Sequence, residues 1–386
     1  MSDSNKLSAI REKASFYAPL QLDMLNSLTS IDSGTGNLEG NKKTVKIIAE
    51  SLRSYGALVE CIESPGVGIH IVARVGAKDA GRKIIVSAHL DTVFAPGEAL
   101  RHPFHIEGEN AYGLGIADCK GGVVVSMFAV RIAGELGLIP DDLEITIIYN
   151  CDEETGSDSS KALFEAECKN ADLVYVFEPA RGENGVVTSR RGCAFGTVEV
   201  TGKSAHAGLD YLGGADANLE LARRVSSLCD KNVPKRGIFF NVGSIRGGEH
   251  ADIVSERAAA DFFVSFADDE DMRLIQRVVK ELESECGTPG CFVKTDFRIS
   301  SPPMEKSEKN LKAYNTVKAA ADEIGIELPE QSSIGSSDAC WYSSFGVPTI
   351  DALGPYMSAV HTTDESLKIK TIQEKTELFA LAISKL

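Results

Sequence analysis

A histidine and an aspartate two positions apart are the first candidates for chemistry in this chain. Residues 87–93 read SAHLDTV, and on an extended chain His89 and Asp91 project from the same face. A metal-bound imidazole commonly donates its second ring N–H to a carboxylate, which fixes the tautomer and raises the basicity of the ligand nitrogen. The pair fits a metal ligand with its orienting carboxylate, but a strand-end histidine beside a surface aspartate has the same pattern.

A glycine-rich loop surrounds a single carboxylate further along the chain. Residues 113–122 read GLGIADCKGG and precede an apolar segment with helical periodicity. The order of the glycines matches neither the P-loop nor the dinucleotide-binding fingerprint, which disfavours a phosphate cradle. We expect instead that the glycines let the backbone fold tightly around Asp118, whose two oxygens can then contact two cations.

Three consecutive acidic residues lie in residues 151–157, CDEETGS. Because like charges repel, such a cluster directly after a buried strand requires cations or protons nearby. If one carboxylate binds a metal, its neighbour is free to take a proton from water, so the motif can provide both a ligand and a general base. A solvated acidic turn that caps the next helix is the alternative for this motif alone.

Two further residues complete a possible ligand set. Glu178 follows a β-rich run in the motif FEP, and His361 lies in AVHTTDE. Imidazole and carboxylate donors together suit zinc, manganese or cobalt ions and not a thiolate site. Together, two imidazoles and three carboxylates among these motifs therefore indicate a site for divalent metal ions, with zinc favoured.

The elements around these residues predict a sheet edge at which they meet. Buried β-rich runs alternate with helical patterns, which indicates an α/β fold with a mostly parallel sheet flanked by helices. Polar residues follow the carboxyl ends of the runs, where open α/β sheets bind ligands. The three runs are residues 83–87, 143–149 and 173–177.

The pattern changes along the chain and then returns. After residue 191, strands and helices follow one another in an α+β order, and Ser301-Pro302-Pro303 precedes a return to the first pattern. We predict a discontinuous catalytic domain of residues 1–191 and 299–386, with an inserted smaller α+β domain of residues 192–298.

Seven motifs in a fixed order give the chain a resemblance to a known family. It resembles the two-metal metallohydrolases that include glutamate carboxypeptidase, aminoacylase and succinyl-diaminopimelate desuccinylase, and Glu178 looks most like the glutamate carboxypeptidase branch. The resemblance implies a zinc-exopeptidase-like domain that hydrolyses an amide or peptide bond in a small peptide or N-acyl amino acid. The motifs are SAHLDTV, YGLGIADCKGG, CDEETGS, FEP, TGKSAHAG, GSSDACWY and AVHTTDE.

The resemblance also implies a role for each candidate residue. Asp91 orients a ligand histidine, and Glu153 activates the water held between the metals. Asp118 bridges the two ions. The implied ligands of one metal are His89, Asp118 and Glu178, and those of the other are Asp118, Glu154 and His361.

His206 lies in the motif TGKSAHAG, inside the predicted inserted domain. The resemblance implies that this histidine reaches the active site of a partner subunit and stabilises the oxyanion, so that the active form is a homodimer. A loop histidine packed beside glycines is the alternative interpretation.

The resemblance fails where relatives carry an NxxP segment and a DxR strand end. Here residues 252–255 read DIVS and residues 263–265 read FVS, so that Ser265 stands in place of arginine. Serine cannot form the bidentate bonds of arginine to a carboxylate, which puts binding of a free α-carboxylate in question. Arg257, Arg190 and Arg191 are possible substitutes. The candidate substrate contacts are Asp252, Arg257 and Gly335.

Two other classes of protein compete with this hypothesis. One is a homologue that acts on a substrate without a free α-carboxylate, or that binds metal without catalysis. The other is a thiol hydrolase that uses Cys119 or Cys151, which is disfavoured because neighbouring acidic residues raise the pKa of a thiol.

The amino-acid composition indicates which partners and which cellular compartment to expect for this protein. A net charge of -16 disfavours binding to nucleic acids and to anionic membranes. The nine cysteines form no CxxC pair, which is typical of reduced thiols. No apolar run approaches the roughly 18 residues that span a bilayer, and residues 1–18 lack a secretory pattern. We expect a cytoplasmic protein with no nucleic-acid or membrane partner.

Overall fold

The chain forms two compact units in the computed structural model, which describes residues 3–77 and 80–386. The first unit contains the residues up to Ser189 together with Lys306–Ser333 and Ser337–Leu386. The second unit contains Arg190–Glu305 and Ile334–Ser336. The predicted inserted segment, residues 192–298, lies inside the second unit, and its role in dimerisation stays a prediction.

Helices and strands alternate through most of the described chain. In chain order the helices are α1 Asp3–Thr29, α2 Leu38–Ser54, α3 Glu98–Arg101, α4 Gly122–Glu135, α5 Lys161–Cys168, α6 Ala217–Cys229, α7 Asp269–Glu281, α8 Glu308–Ile324, α9 Asp338–Ser344 and α10 Ile369–Ile383. The strands are β1 Leu58–Ser64, β2 Gly68–Gly76, β3 Arg82–His89, β4 His105–Glu107, β5 Asn110–Tyr112, β6 Leu143–Asn150, β7 Leu173–Val176, β8 Val186–Arg190, β9 Gly192–Thr201, β10 Asn241–Gly247, β11 Arg257–Phe266, β12 Phe292–Ser301, β13 Glu330–Ser333, β14 Thr349–Ile350, β15 Met357–Ser358 and β16 Ser366–Lys368.

A six-stranded sheet with the order β1-β2-β6-β3-β7-β14 forms the centre of the first unit. Strand β3 lies parallel to β6 and β7, and β7 lies parallel to β14, whereas β1 and β2 are antiparallel. The central strands are apolar along most of their length because both faces are covered; Val86, Ile147 and Tyr175 are fully buried. The predicted mostly parallel α/β fold is confirmed.

Helix α4 shows why the sheet is covered so completely. Its sequence GVVVSMFAVRIAGE has almost no polar face, and every residue from Gly122 to Val130 is buried. A helix that is apolar all round belongs in the interior of a domain. Helix α4 packs against β3 and also contacts α1 and α10, so that it lies inside the first unit and supports the chain segment just before it.

The second unit has its own sheet and core. Its four antiparallel strands have the order β10-β11-β9-β12. Alternate residues of β9 and β11 are buried, as expected for a sheet with one covered face. Side chains of α6 and α7, among them Leu221 and Ile275, pack in one cluster with Val198 and Phe262 of the sheet.

A helix that crosses a membrane needs about 20 predominantly apolar residues. Among residues 3–77 and 80–386, no helix combines the length and the apolar character that such a crossing requires.

Candidate metal centre

The predicted ligands of the first unit lie at the carboxyl ends of its parallel strands. His89 is the last residue of β3, and Glu178 follows β7. Glu153–Thr155 forms a short 3-10 turn directly after β6. Since β3 is parallel to β6 and β7, these ends meet at one edge of the sheet.

Asp118 reaches the same edge from an irregular turn, Ile116–Gly121, that leads into α4. The turn begins after Gly115, which adopts a left-handed conformation with φ of 67°. A Cβ atom at Gly115 would lie 2.4 Å from Cγ2 of Thr92, so a larger residue does not fit at this position. The glycine therefore allows the backbone to carry Asp118 close to the strand ends.

Each oxygen of the Asp118 carboxylate faces a different histidine. Oδ1 lies 2.9 Å from Nε2 of His89, which is also 3.5 Å from Oε1 of Glu178. Oδ2 lies 3.4 Å from Nε2 of His361, which is also 3.3 Å from Oε2 of Glu154. Asp118 thus belongs to two groups of potential ligands, and within each group the ligand atoms lie within 4.8 Å of one another.

The donor set fits two divalent cations. Imidazole nitrogens and carboxylate oxygens are the donors that zinc, manganese and cobalt ions accept. The buried Oε1 of Glu154 has no hydrogen-bond partner in the described part of the chain. A buried carboxylate oxygen without a donor is costly, and a cation would satisfy it.

The pKa values of His361 and Glu153 are both raised, so both side chains bind protons more tightly than usual. Hydrogen bonds to Asp118 and Glu154 raise the pKa of His361 to about 10. Burial raises the pKa of the Glu153 carboxyl well above its usual range. Positive charge on the imidazoles, or from bound cations, therefore stabilises this cluster of carboxylates.

The carboxylate of Asp91 connects several parts of the centre. Its oxygens accept the backbone N–H groups of Glu153 at 3.2 Å and Glu154 at 3.1 Å, and the hydroxyl of Thr35 donates to Oδ2 at 2.6 Å. Nδ1 of His89 lies 3.3 Å from this carboxylate but 3.0 Å from the backbone carbonyl of Asp91. Asp91 therefore holds the acidic turn as well as the histidine, a contact that the sequence did not reveal.

Two further residues of the centre were not predicted. Glu365 is buried and its carboxylate accepts the backbone N–H groups of Gly115, Ala117 and Asp118. Cys119 belongs to the ligand group of His89, and its buried thiol donates to the carbonyl of Phe177 at 3.1 Å. The only sequence signal was that Glu365 lies in the motif of His361 and that Cys119 follows Asp118.

The remaining predicted site residues belong to the second unit. His206 is exposed, and its Nδ1 accepts the backbone N–H of Gly208 at 3.1 Å. Its segment pairs with that of Asp252, because His206 and Ile253 form an antiparallel bridge. Asp252, Arg257 and Gly335 are also exposed. The second unit therefore brings His206 and Asp252 into adjoining segments. All the predicted metal ligands lie in the first unit.

Two of the arginines named as substitutes for the missing DxR arginine have other partners. The guanidinium of Arg191 donates to the hydroxyl and the backbone carbonyl of Ser265, and to the carbonyl of Gly237. The guanidinium of the buried Arg190 donates to the carbonyl of Gly335 at 2.9 Å. Both side chains are thus held by groups of the second unit, and of the three candidate arginines only Arg257 is exposed.

Comparison with known proteins gives consistent results. Residues 85–385 match the model of Peptidase family M20/M25/M40. Carboxypeptidase G2 of Pseudomonas sp. (strain RS-16) is 30% identical over 340 residues, which are 87% of this chain and 81% of the relative. Acetylornithine deacetylase of Vibrio atlanticus (strain LGP32) is 28% identical over 255 residues, which are 60% and 64% of the two chains.

A solved structure has the same fold as this chain. Aminopeptidase PepT from Bacillus cereus ATCC 10987 superimposes with a TM-score of 0.80 at 22% identity, over 95% of this chain and 98% of that one. The predicted family resemblance is thereby confirmed. The chain belongs to peptidase family M20/M25/M40 and is a metal-dependent hydrolase of amide or peptide bonds.

Proposed function

We propose that this enzyme cleaves a small peptide or an N-acyl amino acid with two divalent metal ions, preferentially zinc, and with Glu153 as the general base. The carboxylate of Asp118 carries the proposal, because its two oxygens face the two histidines at 2.9 and 3.4 Å. A single carboxylate in this position is suited to bridge two cations. The proposed ligands are His89, Asp118 and Glu178 for one ion, and Asp118, Glu154 and His361 for the other.

Bound metal ions would polarise the scissile carbonyl and lower the pKa of water. Glu153 would take the proton from water and pass it to the leaving nitrogen. Burial supports this role, since it raises the pKa of the Glu153 carboxyl and so increases its affinity for a proton. Asp91 supports it as well, because it binds the backbone N–H of Glu153 and so fixes the start of the acidic turn.

The neighbours Glu153 and Glu154 are assigned different roles because their surroundings differ. Glu154 has one oxygen 3.3 Å from Nε2 of His361 and belongs to a group of potential metal ligands. Glu153 belongs to neither group. A residue that transfers protons needs to lie beside the metal ligands without being one of them.

The proposed substrate class rests on the named relatives and on one difference from the family pattern, Ser265 in place of an arginine. Carboxypeptidase G2 and acetylornithine deacetylase are named for the release of an amino acid and of an acyl group, and both reactions hydrolyse an amide. In this chain Ser265 replaces the arginine of the DxR pattern, and Arg191 is held by Ser265. We therefore propose that a free α-carboxylate contributes little to substrate binding.

The second unit would complete the site through a homodimer. His206 belongs to a different unit from the proposed ligands, and its imidazole is exposed. We propose that it stabilises the oxyanion in the active site of a partner subunit. A cytoplasmic location is proposed from the cysteines, because the nine cysteines of the described chain are not in disulfide bonds, as is usual in reducing compartments.

Reconstitution with defined metals tests the proposed function. Metal-free protein would be loaded with zinc, manganese or cobalt ions and assayed against dipeptides and N-acyl amino acids, each with a free and an amidated carboxyl terminus. We expect hydrolysis that chelation abolishes and that amidation changes by less than about tenfold, a smaller effect than loss of a buried arginine–carboxylate pair. Fully loaded protein that hydrolyses no member of the panel would overturn the proposal.

A matched pair of variants separates the two roles in the acidic turn. Glu153→Gln should keep near-normal metal content while kcat falls by roughly 10² or more, the usual effect of losing general acid–base catalysis. Glu154→Gln should lose metal. Equal loss of metal in both variants, or normal turnover of Glu153→Gln, contradicts the assignment.

A further inference from the structure

A cleft of about 750 Å³ in the first unit borders the candidate metal centre. Its walls are two loops, residues 34–39 and 92–96, and it ends at Glu154 and Thr155. Small-molecule sites commonly have volumes of about 300–1,000 Å³. Because Glu154 is also a proposed metal ligand, the cleft begins where the metal centre ends, and a substrate held at the centre has room to extend into it.

The two loops are joined by backbone contacts, so the cleft is a built feature. Gly34 and Thr92 form a parallel bridge, and the N–H of Thr35 donates to the carbonyl of Thr92 at 3.3 Å. A Cβ atom at Gly34 would lie only 2.2 Å from the carbonyl oxygen of Phe94. Only glycine permits this close approach of the two backbones.

Most of the wall is apolar. Leu38 is 50% exposed and Val93 is 46% exposed, and Phe94, Ala95 and Pro96 extend the same surface. Single exposed apolar residues are common on any protein. Several of them on the wall of one concave site are typical of a site that binds apolar groups of a ligand.

The charged groups of the cleft are all acidic. Glu39 and Glu154 line it, and the residues that line it include no Lys, Arg or His. Two of its polar side chains are already bonded: the amide of Asn37 donates to the carbonyl of Asp32 and accepts from Gly40, and the hydroxyl of Thr35 donates to Asp91. A carboxylate or phosphate placed beside Glu39 would meet like charge.

We propose that this cleft is a specificity subsite that binds an apolar, uncharged side chain or acyl group next to the scissile bond and disfavours an acidic one. The inference rests on the proposed function, because it takes the metal centre as the place where the bond is cleaved. It adds the substrate class: the enzyme prefers residues such as leucine and phenylalanine on one side of that bond.

Charge introduced at Val93 tests the subsite. The substrates are two dipeptide series, X-Ala and Ala-X, in which X is Leu, Phe, Glu or Lys, and the variants are Val93→Lys and Val93→Glu. In one series we expect the native enzyme to favour Leu and Phe over Glu by about tenfold or more in kcat/KM, the scale on which pockets discriminate side chains. Val93→Lys should shift the ratio towards Glu by about tenfold, and Val93→Glu should shift it towards Lys.

A matched control distinguishes the cleft from general surface charge. Leu100 is 89% exposed on α3 and does not line the cleft. Leu100→Lys and Leu100→Glu should leave every substrate ratio unchanged. If dipeptides are hydrolysed but Val93 and Leu100 variants give the same ratios as the native enzyme in both series, the subsite is wrong while the proposed function stands.

A binding measurement that needs no turnover tests the subsite independently of the proposed hydrolysis. Metal-loaded Glu153→Gln protein would be titrated calorimetrically with N-acetyl-leucine amide and with N-acetyl-glutamate amide. The leucine derivative should bind more tightly by about tenfold, and the additional Val93→Lys change should remove that preference. Equal binding of the two amides overturns the subsite even if no dipeptide is hydrolysed, whereas a leucine preference without hydrolysis of any substrate counts against the proposed function alone.

Discussion

The carboxylate of Glu365 accepts the backbone N–H of Asp118 at 3.0 Å. The same oxygen accepts the N–H of Ala117 at 2.9 Å, and the other accepts that of Gly115 at 3.3 Å. Glu365 is only four positions beyond His361 in the chain. One buried side chain therefore ties the loop that carries Asp118 to the segment that carries His361, and these two residues are proposed ligands of one metal.

The first prediction concerns these hydrogen bonds of Glu365. Glu365→Gln keeps the shape of the side chain but loses its charge and one acceptor oxygen, so part of the loop should lose its fixed position. We expect the affinity for one of the two metals to fall by about 10- to 100-fold, the usual effect of removing a partner that orients ligands. Metal stoichiometry measured by mass spectrometry after dialysis should fall from two ions towards one.

Glu107→Gln is the control, because Glu107 is exposed on β4 and has no part in the centre. That variant should keep both ions. Two ions bound to Glu365→Gln with native affinity would mean that packing alone positions the loop.

The second prediction concerns the hydroxyl of Thr35, which donates to Oδ2 of Asp91 at 2.6 Å. Valine has nearly the same shape but no hydroxyl, so Thr35→Val leaves one oxygen of a buried carboxylate with fewer donors. Since Asp91 also holds the backbone of Glu153 and Glu154, we expect kcat to fall by about 10- to 100-fold, with a smaller change in KM.

Thr35→Ser restores the hydroxyl and is the matched comparison. It should retain kcat within a few-fold of the native value, and both variants should melt within a few degrees of the native protein. Equal kcat for the serine and valine variants would show that the hydrogen bond has no part in positioning the turn.

The edge of the sheet was predictable from the sequence, and the reason is physical. Central parallel strands must be apolar on both faces, so β3, β6 and β7 stand out as apolar runs. The polar residues that follow such runs meet at one edge, which made His89, Glu153 and Glu178 recognisable. The local signals of strand and strand end were sufficient for this part of the fold.

The contacts that support the ligands were not predictable in the same way. Glu365 and Asp118 are 247 positions apart, and Thr35 and Asp91 are 56 apart. Glutamate and threonine are common on surfaces, and no local pattern distinguishes one that is buried against a distant loop. Such contacts depend on the assembled fold. Gly335 is a similar case, because Ile334–Ser336 belongs to the second unit although its neighbours on both sides belong to the first.

The third prediction concerns Lys375, a lysine with 1% exposure in helix α10. Its ammonium group has one weak contact, with the carbonyl of Asn184 at 3.4 Å, and burial lowers its pKa to about 8. A lowered pKa means that the unfolded chain binds the proton more tightly than the folded one, so the charged form destabilises the fold below pH 8. Stability should therefore rise as the pH increases from about 8 towards 10.5.

Lys375→Met tests this directly, because methionine fills similar volume without a charge. We expect the free energy of unfolding at pH 7 to rise by about 1–3 kcal/mol, up to the cost implied by the pKa shift. The difference from the native protein should shrink between pH 8 and 10.5 in denaturant titrations. Lys370→Met, on the exposed side of the same helix, should show neither effect; a destabilised Lys375→Met protein at pH 7 would contradict the argument.

The last prediction concerns His206, which lies in the second unit while every proposed metal ligand lies in the first. If it acts in the site of a partner subunit, a dimer of one His206→Ala chain and one Glu153→Gln chain has one site with both residues intact. After complete exchange at equal amounts, half of the dimers are mixed and one of their two sites is whole, so activity should reach about one quarter of the native value.

The converse mixture provides the control. The double variant His206→Ala, Glu153→Gln is combined with native chains; if His206 acts across the interface, every mixed dimer has no whole site and the activity per native chain falls by about half. If His206 acts within its own chain, the native chain of each mixed dimer keeps its site and the activity per native chain is unchanged. Subunit exchange would be verified by mass spectrometry of differently tagged chains, since absence of recovery has meaning only when mixed dimers are present. No recovery in the first mixture together with no loss in the second would assign His206 to its own chain's site or to a structural role.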